Sequence, residues 1–290
     1  MKKYSDSHEV TFALKKASPG QLEILRRLLI ARGAKPESVV ESSFSGSERL
    51  TVYFTDAERA RKFRGKVVPL GLKNVRISQK TVKARDWQTV WKQEYKPFAL
   101  TPRFEVVPYG YRKTHRSRGR EPVYIDTSYA FGTGLHATTR FMASFVERCA
   151  GRYDSFLDIG TGTGILAILA LKCGACEVTA IDLRRDIVEI ANMNFRENGF
   201  PAQRARAIDF QKFRMSRRYD FVAANLVTLD LIAFRKSLVR LVRKGGYLAV
   251  SGISLALYPE LRAAFDGLPI RCLKVEKGEG WHALLFRRNV

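Results

Sequence analysis

Residues 153–164 read YDSFLDIGTGTG and are the most informative part of the chain. The apolar run before Gly160 predicts a buried strand, and the apolar residues 165–173 predict a helix directly after the third glycine. Glycines let a ligand approach the backbone and supply the positive φ values that a sharp reversal needs. A second apolar run, 178–181, ends in Asp182. The pattern predicts a strand, a ligand-binding turn, a helix and a second strand of a doubly wound α/β fold.

The turn fits two classes of ligand. Gly162, Gly164 and Ala167 satisfy the G-x-G-x-x-A pattern of dinucleotide-binding folds, with Asp182 at about the spacing of a ribose-binding acid. Asp158 favours a different ligand, because its carboxylate would repel a pyrophosphate but attract the cationic aminoacyl end of S-adenosylmethionine. The stretch therefore indicates an S-adenosylmethionine-dependent methyltransferase, with a nucleotide oxidoreductase as the alternative.

The upstream segment 130–140, AFGTGLHATTR, strengthens this interpretation. Taken alone, it is an ordinary loop in which Thr138 or Thr139 caps the following helix. Together with the glycine turn it closely resembles the PrmA family of ribosomal protein lysine methyltransferases, over essentially the whole chain. The motifs that carry the resemblance are AFGTG at 130–134, His136, Thr138 and Thr139, DIGTGTGILAI at 158–168, Ile181 and Asp182, and ANL at 224–226.

Two positions depart from the family pattern. Ala137 stands where the family has proline, and LRR at 183–185 replaces the I-D-P that usually follows the ribose acid. Neither change removes a required group, and the second adds positive charge near the adenosine.

The candidate cofactor site combines the glycine turn with the strand ends beyond it. Asp182 can accept hydrogen bonds from both ribose hydroxyls, because one carboxylate accepts several bonds. Asp209 either accepts from the adenine amino group or is a solvated strand end. The resemblance implies contacts from Thr139, Gly160, Asp182 and Asn225. The full set of predicted cofactor contacts is Thr139, Asp158, Gly160, Gly162, Gly164, Asp182, Asp209 and Asn225.

Asn225 is the candidate catalytic residue, because its amide both donates and accepts and could orient either methionine or an incoming amine. The run NLVT at 225–228 lacks the prolines and the aromatic residue of enzymes that methylate adenine or glutamine, so a flexible aliphatic amine suits it better. Phe131 and His136 are candidate substrate-positioning residues, with a structural hydrogen bond as the other role for His136.

Two domains are expected. Residues 1–84 follow the order β-α-β-β-α-β, which predicts a ferredoxin-like α+β domain, and the resemblance implies that it recognises the substrate. A linker helix and basic connector occupy 85–118. Residues 119–290 form a class I methyltransferase domain with a Rossmann-like, seven-stranded doubly wound sheet, and its last hairpin predicts an antiparallel edge strand.

The resemblance implies an enzyme that transfers methyl groups from S-adenosyl-L-methionine to lysine ε-amines of large-subunit ribosomal protein eleven. An N-terminal α-amine is a further acceptor, and S-adenosyl-L-homocysteine is the product. Two alternatives remain: a ribosomal RNA methyltransferase, and a cofactor-binding ribosome-assembly protein without catalytic activity.

The net charge of the chain is informative about its partners. The chain has 51 Lys and Arg against 28 Asp and Glu, a net charge of +23. Such an excess favours polyanions and predicts salt-sensitive binding to ribosomal RNA. The densest run, YRKTHRSRGR at 111–120, is either a solvated loop or an arm that touches RNA. Residues 235–244 read as an amphipathic helix with a wet basic face.

Other sequence features exclude several classes of protein. No apolar run is long enough to span a bilayer and the N-terminus lacks a signal-peptide core, so we expect a cytoplasmic protein, monomeric by default. The four cysteines predict no disulfide framework. Cys173 and Cys176 form a C-x-x-C without a second pair, so we expect packing residues and no metal.

Overall fold

A computed structural model describes residues 6–15, 19–35, 38–44, 47–70, 72, 74–82, 96–126, 132–200, 205–213 and 217–290. The chain divides into two compact units, residues 1–91 and 92–290. The predicted linker helix, at 87–95, lies outside the described residues.

The first unit has the predicted ferredoxin-like topology. Its strands pair antiparallel in the order β2-β3-β1-β4, and two helices pack on one face. Alternate residues of β1, namely Val10, Phe12 and Leu14, are buried because successive strand residues point to opposite faces. The elements are β1 (Ser7–Lys15), α1 (Pro19–Ala31), β2 (Val39–Phe44), β3 (Ser47–Phe54), α2 (Ala57–Val67) and β4 (Val75–Val82).

The second unit alternates strands and helices, the arrangement that builds a largely parallel sheet covered on both faces. Its elements are β5 (Phe98–Ala99), β6 (Phe104–Pro108), β7 (Glu121–Ile125), α3 (Ala137–Arg148), β8 (Ser155–Ile159), α4 (Ile165–Lys172), β9 (Glu177–Asp182), α5 (Arg185–Glu197), β10 (Ala205–Ala207), β11 (Tyr219–Asn225), α6 (Thr228–Leu241), β12 (Val242–Ser254), α7 (Tyr258–Phe265), β13 (Ile270–Gly278) and β14 (Trp281–Arg288).

The large sheet has seven strands, as predicted, in the order β10-β9-β8-β11-β12-β14-β13. The sequence correctly predicted an antiparallel strand but placed it wrongly. The antiparallel strand is β14, which pairs with both β12 and β13 inside the sheet, while β13 forms the edge. A hairpin pattern shows that two strands are adjacent, but only side-chain packing decides which of them inserts next to β12.

Helix α4 follows the glycine turn into the interior. Residues 165–170 are all buried, which agrees with a helix that is apolar on every side. Its amphipathic neighbour α5 buries Ile187, Val188, Ala191 and Phe195 and exposes the opposite face. These helices fix the position of the turn at the carboxyl end of β8.

A small sheet of β5, β6 and β7 completes the second unit. Strands β5 and β6 fall inside the range 85–118 that was predicted as a connector, and they pair with each other antiparallel. The basic run 111–120 links β6 to its parallel neighbour β7. None of the helices in the described part of the chain has the length and apolar character needed to cross a membrane.

Candidate active site

The glycine turn lies between the ends of β9 and β11. The backbone N–H groups of Gly160 and Thr161 both donate to the carbonyl of Ile181, each at 2.9 Å. Gly160 has φ +71°, and a Cβ there would lie 2.6 Å from Cδ2 of Leu226. Glycine is therefore required at 160 both for the backbone conformation and for the contact with Leu226, the neighbour of Asn225.

Asp182 ends β9 beside this turn. Its Oδ2 accepts from the N–H of Gly162 and its Oδ1 from the N–H of Arg184, both at 3.1 Å. A carboxylate has about four lone-pair sites, so these two bonds leave acceptor capacity for a ligand. The side chain is half-buried, and the backbone fixes its orientation.

Asp158 lies beneath the turn and is 1 % exposed. The Thr161 hydroxyl donates to its Oδ2 at 2.7 Å. Burial raises the pKa of Asp158 to about 7, and the nearby charge of Asp182 acts in the same direction, against the bond from Thr161. The carboxyl group thus holds the turn through Thr161, and a positive charge brought close to it would favour its ionised form.

The upstream segment meets the end of β11. His136 is the N-cap of α3, so neither Thr138 nor Thr139 has the capping role that the loop interpretation considered. The Thr138 Oγ1 lies 2.7 Å from the Nδ1 of His136 and accepts from the Nδ2 of Asn225 at 3.3 Å. Burial lowers the pKa of His136, which keeps the ring neutral. The His136 ring packs edge-on against Trp281, with 5.2 Å between centroids.

Asp209 stands next to Asp182 across the sheet. The N–H of Ile208 donates to the carbonyl of Asp182 at 2.8 Å, which continues the parallel pairing of β10 with β9. The side chain of Asp209 accepts from the N–H of Gln211 at 2.9 Å and caps a short 3-10 turn. The strand ends thus bring both carboxylates to the same edge of the sheet.

The residues of the turn and the strand ends fit S-adenosylmethionine. Thr139 carries a buried Oγ1 with no hydrogen-bond partner among the described residues, an orphaned polar atom at a predicted contact. Asp182 keeps acceptor capacity beside the turn, and the turn has no Cβ at Gly160, Gly162 or Gly164. Phe131 lies outside the described residues.

Asn194, which joins the glycine turn to the segments around it, was not predicted from the sequence. Asn194 is fully buried; its Oδ1 accepts from Tyr109 Oη at 2.6 Å and from the N–H of Asp126 at 2.9 Å. Its Nδ2 donates to the carbonyl of Thr163 in the glycine turn at 2.8 Å. A polar residue on the apolar face of α5 was the available signal. Thr163 in turn donates to the carbonyl of Gly132 at 2.6 Å, tying the upstream segment to the turn.

The candidate metal ligands and thiols are the His, Cys, Asp and Glu side chains. Within the described ranges, no group of three or more His, Cys, Asp or Glu side chains could hold a metal ion. All four cysteines are free thiols. Cys173 is buried and Cys176 is exposed, so the two members of the C-x-x-C occupy different environments.

Numbered within its own sheet, the second unit has the strand order 3-2-1-4-5-7-6 with strand 7 antiparallel, and its glycine turn follows strand 1. This is the fold of class I methyltransferases, enzymes that use S-adenosylmethionine as cofactor. A family model described as ribosomal protein L11 methyltransferase (PrmA) matches residues 9–289. The chain belongs to this family.

Individual relatives agree with the family model. The chain is 31 % identical over 274 residues to a ribosomal protein L11 methyltransferase of Sorangium cellulosum, covering 87 % of this chain and 85 % of the relative. It is 30 % identical over 220 residues to one of Bacillus cereus, covering 76 % and 70 %. A crystal structure of a ribosomal protein L11 methylase from Lactobacillus delbrueckii subsp. bulgaricus has a TM-score of 0.62 at 24 % identity. The match covers 68 % of this chain and 100 % of the crystallised one, and it supports the fold.

Proposed function

We propose that this protein methylates lysine ε-amines of ribosomal protein L11, and accepts an N-terminal α-amine as a second substrate group. The observation that carries the proposal is Asn225, which stands at the carboxyl end of β11 with its amide held by Thr138. S-adenosyl-L-methionine supplies the methyl group as an electrophilic carbon on a sulfonium, leaving S-adenosyl-L-homocysteine.

The cofactor contacts are assigned by position. Asp182 accepts from the ribose hydroxyls, and Asp209, its neighbour across β9 and β10, accepts from the adenine amino group. Thr139 supplies the unpartnered hydroxyl. Gly160, Gly162 and Gly164 offer backbone without an intervening Cβ, while Asp158 supports the turn from below and balances the cationic end of the cofactor.

Asn225 orients the acceptor. With Nδ2 committed to Thr138, Oδ1 accepts an N–H of the incoming amine and holds its nitrogen in line for transfer. The amine must arrive neutral, and burial favours that form, because an ammonium loses its hydration when it enters an apolar environment.

Two exposed apolar side chains stand near this end of the sheet. Val227 and Leu255 follow β11 and β12 and are 59 % and 54 % exposed. Thr228, the first residue of α6, is bonded to the end of β12, since its Oγ1 donates to the carbonyl of Gly252 at 3.0 Å and accepts from the N–H of Ser254 at 3.1 Å. These exposed apolar side chains suit the methylene stem of a lysine.

The ferredoxin-like unit holds the substrate protein in this proposal. The face of its sheet turned away from the helices carries Glu9, which the register aligns with Tyr53 and Lys80. Burial raises the pKa of Tyr53 to about 12, and the charge of Glu9 adds to that effect. A face with a carboxylate, an ammonium and a phenol suits a polar protein surface. We also propose that the enzyme acts as a cytoplasmic monomer.

Ribosomal RNA is the second candidate substrate, favoured by the net charge of +23. The residues after Asn225 disfavour it, because Leu226, Val227 and Thr228 offer no ring on which a flat base could stack.

Intact-mass spectrometry of purified ribosomal protein L11, incubated with the enzyme and S-adenosylmethionine, tests the proposal. We expect gains in steps of one methyl group, ~14 Da, that disappear with Asn225→Ala, because alignment of the amine is lost. The matched control is Asn289→Ala at the exposed C-terminal end, which should keep full activity. An unmodified L11 together with ribonuclease-sensitive tritium label on ribosomes would reject the protein substrate in favour of RNA.

A further inference from the structure

Basic side chains gather at the edge of the large sheet that is formed by the amino ends of its parallel strands. The register places Tyr219 beside Val242, and Arg287 beside both Tyr247 and Arg271. Cations from separate segments of the chain therefore meet at this edge. We name them the amino-edge cluster: Arg218, Arg240, Arg243, Lys244, Arg287 and Arg288.

Backbone carbonyls hold two of these guanidinium groups in place. Arg288 donates to the carbonyls of Val239, Arg240 and Val242, at 2.5 to 3.3 Å, where α6 ends and β12 begins. The Nε of Arg287 donates to the carbonyl of Gly245 at 3.1 Å. Burial, and to a smaller extent the positive charge of Arg218, lower the pKa of Arg288.

Acidic side chains neutralise little of this charge. In the described part of the chain, Asp220 is the one acid that forms an ion pair with the cluster, to Arg243 at 2.9 Å. Asp220 also accepts from the N–H of Ser155 and from its hydroxyl, so its charge is shared with the start of β8. Arg218, Arg240, Lys244 and Arg287 are exposed to solvent.

The basic run 111–120 is less available. Arg112 forms an ion pair with Glu197 and lies over the ring of Tyr124, 5.3 Å from its centroid. Glu105 of β6 pairs with His115 at 2.9 Å and also accepts from Ser117, which ties the run to β6. The amino-edge cluster has the larger unneutralised charge. Its residues lie on or next to helices and strands, whereas residues 111–120 form a connection between β6 and β7.

We propose that the amino-edge cluster binds the phosphate backbone of RNA. Five of its six members are Arg, whose planar guanidinium matches phosphate oxygens in pairs and is weakly hydrated. Preordered cations beside a sheet edge can contact successive phosphates without reading bases. The choice of RNA over other polyanions rests on the proposed function, because the protein substrate belongs to the ribosome.

The location suits an anchor. The seven residues of β11 run from Tyr219 at this edge to Asn225, a distance of about 20 Å at ~3.3 Å per residue step. RNA bound here leaves the carboxyl ends of the strands open to the cofactor and the acceptor amine.

Fluorescence anisotropy with a labelled ribosomal RNA hairpin tests the proposal. The edge variant combines Arg218→Gln, Arg240→Gln and Lys244→Gln, and its charge-matched control in the basic run combines Lys113→Gln, Arg116→Gln and Arg118→Gln. At about 0.15 M salt we expect the edge variant to bind at least tenfold more weakly and the control less than threefold. The slope of log affinity against log salt should fall by about 3 in the edge variant, one per lost phosphate contact.

Each other result overturns the proposal. Equal losses in both variants would reveal only net charge, and a larger loss in the control would assign RNA binding to residues 111–120. Binding to vesicles with anionic lipid that is as tight as binding to RNA, and equally lost in the edge variant, would make this a lipid surface. Methylation of free L11 should be unchanged in the edge variant. Unchanged affinity for S-adenosylmethionine shows an intact fold even if the proposed methylation fails.

Discussion

Asn225 and Thr138 are joined by a hydrogen bond in which the Asn225 Nδ2 donates to the Thr138 Oγ1 at 3.3 Å. The direction of this bond follows from the hydrogen bonds between Thr138 and His136. The N–H of Thr138 donates to the Nδ1 of His136, so Nδ1 is an acceptor and the Thr138 hydroxyl donates to it as well. The hydroxyl oxygen is then left to accept from Asn225, which makes Nδ2 the donor of this bond and leaves Oδ1 as the acceptor that the proposed function assigns to the amine.

Replacing Thr138, the middle residue in this series of hydrogen bonds, tests its role. Thr138→Val should lower kcat about tenfold, or ~1.4 kcal/mol, because Asn225 is no longer oriented. The KM for S-adenosylmethionine and the melting temperature should change little, since valine keeps the shape of threonine. Thr138→Ser restores the hydroxyl and should restore kcat to within about threefold of the original value. A serine variant as slow as the valine variant would contradict the orienting role.

Gly160 and Gly174 form a matched pair for the glycine turn. Both have positive φ, +71° and +99°, but a Cβ at 160 lies 2.6 Å from Leu226 while one at 174 meets nothing within 4 Å. Alanine at either position should cost about 1–2 kcal/mol of unfolding free energy. Only Gly160→Ala should also weaken cofactor binding, by tenfold or more, because it displaces Leu226 beside Asn225.

Thermal unfolding and titration calorimetry separate these two effects. Adding Leu226→Ala to Gly160→Ala should recover part of the lost affinity, since it removes the colliding methyl group. Equal affinity losses in the two alanine variants would show that backbone strain alone is responsible.

Asp182→Ala should weaken S-adenosylmethionine binding by about a hundredfold or more, because two hydrogen bonds to a charged acceptor are lost. Asp186→Ala removes the same charge nearby, from an exposed carboxylate paired with Arg184 at 2.5 Å. Its affinity should fall less than threefold when measured by titration calorimetry. If the two variants lose affinity equally, general charge near the adenosine, rather than ribose binding, is the cause.

Asp158 makes stability depend on pH. Its pKa is raised to about 7 in the folded protein, against ~3.9 in an unfolded chain. Between these values the folded state binds the extra proton, so the free energy of unfolding falls as pH rises from about 4 to 7, by up to about 4 kcal/mol. Asp158→Asn should flatten that fall in denaturant titrations. An unchanged pH profile would show that the carboxyl group is already ionised.

Cofactor binding should report the same group. The positive charges of S-adenosylmethionine favour the Asp158 carboxylate, so binding near pH 7 should release a fraction of a proton. Calorimetry in two buffers of different ionisation enthalpy measures this release. We expect it in the unmodified protein and its absence in Asp158→Asn.

Much of the fold was predictable because its signals lie in contiguous residues. The β-α-β-β-α-β order of the first unit follows from local sequence pattern, and α2 begins locally as well, since the side chain of Asp56 accepts from the N–H of Arg59. The glycine turn and the acid that ends β9 were predictable for the same reason. Because the carboxyl ends of parallel strands share one edge, the sequence also predicted that four polar residues lie at that edge: Asp158, Asp182, Asp209 and Asn225.

Contacts between distant segments were not predictable in this way. Asn194 joins the turn to Tyr109 and Asp126, and nothing in the residues around it specifies those partners. His136 rather than a threonine caps α3, because the ring nitrogen happens to reach the N–H of Thr138.

Sequence signals were enough to predict the two units, the glycine turn and the chemical types of the residues around it. Local periodicity and backbone conformation encode these features within a few residues of one another. Only the tertiary structure decided that β14 lies between β12 and β13, that Asn225 bonds to Thr138, and that Arg218, Arg243 and Arg287 share one edge. These depend on strand register and on packing across the sheet, which are set by the whole core rather than by any single segment.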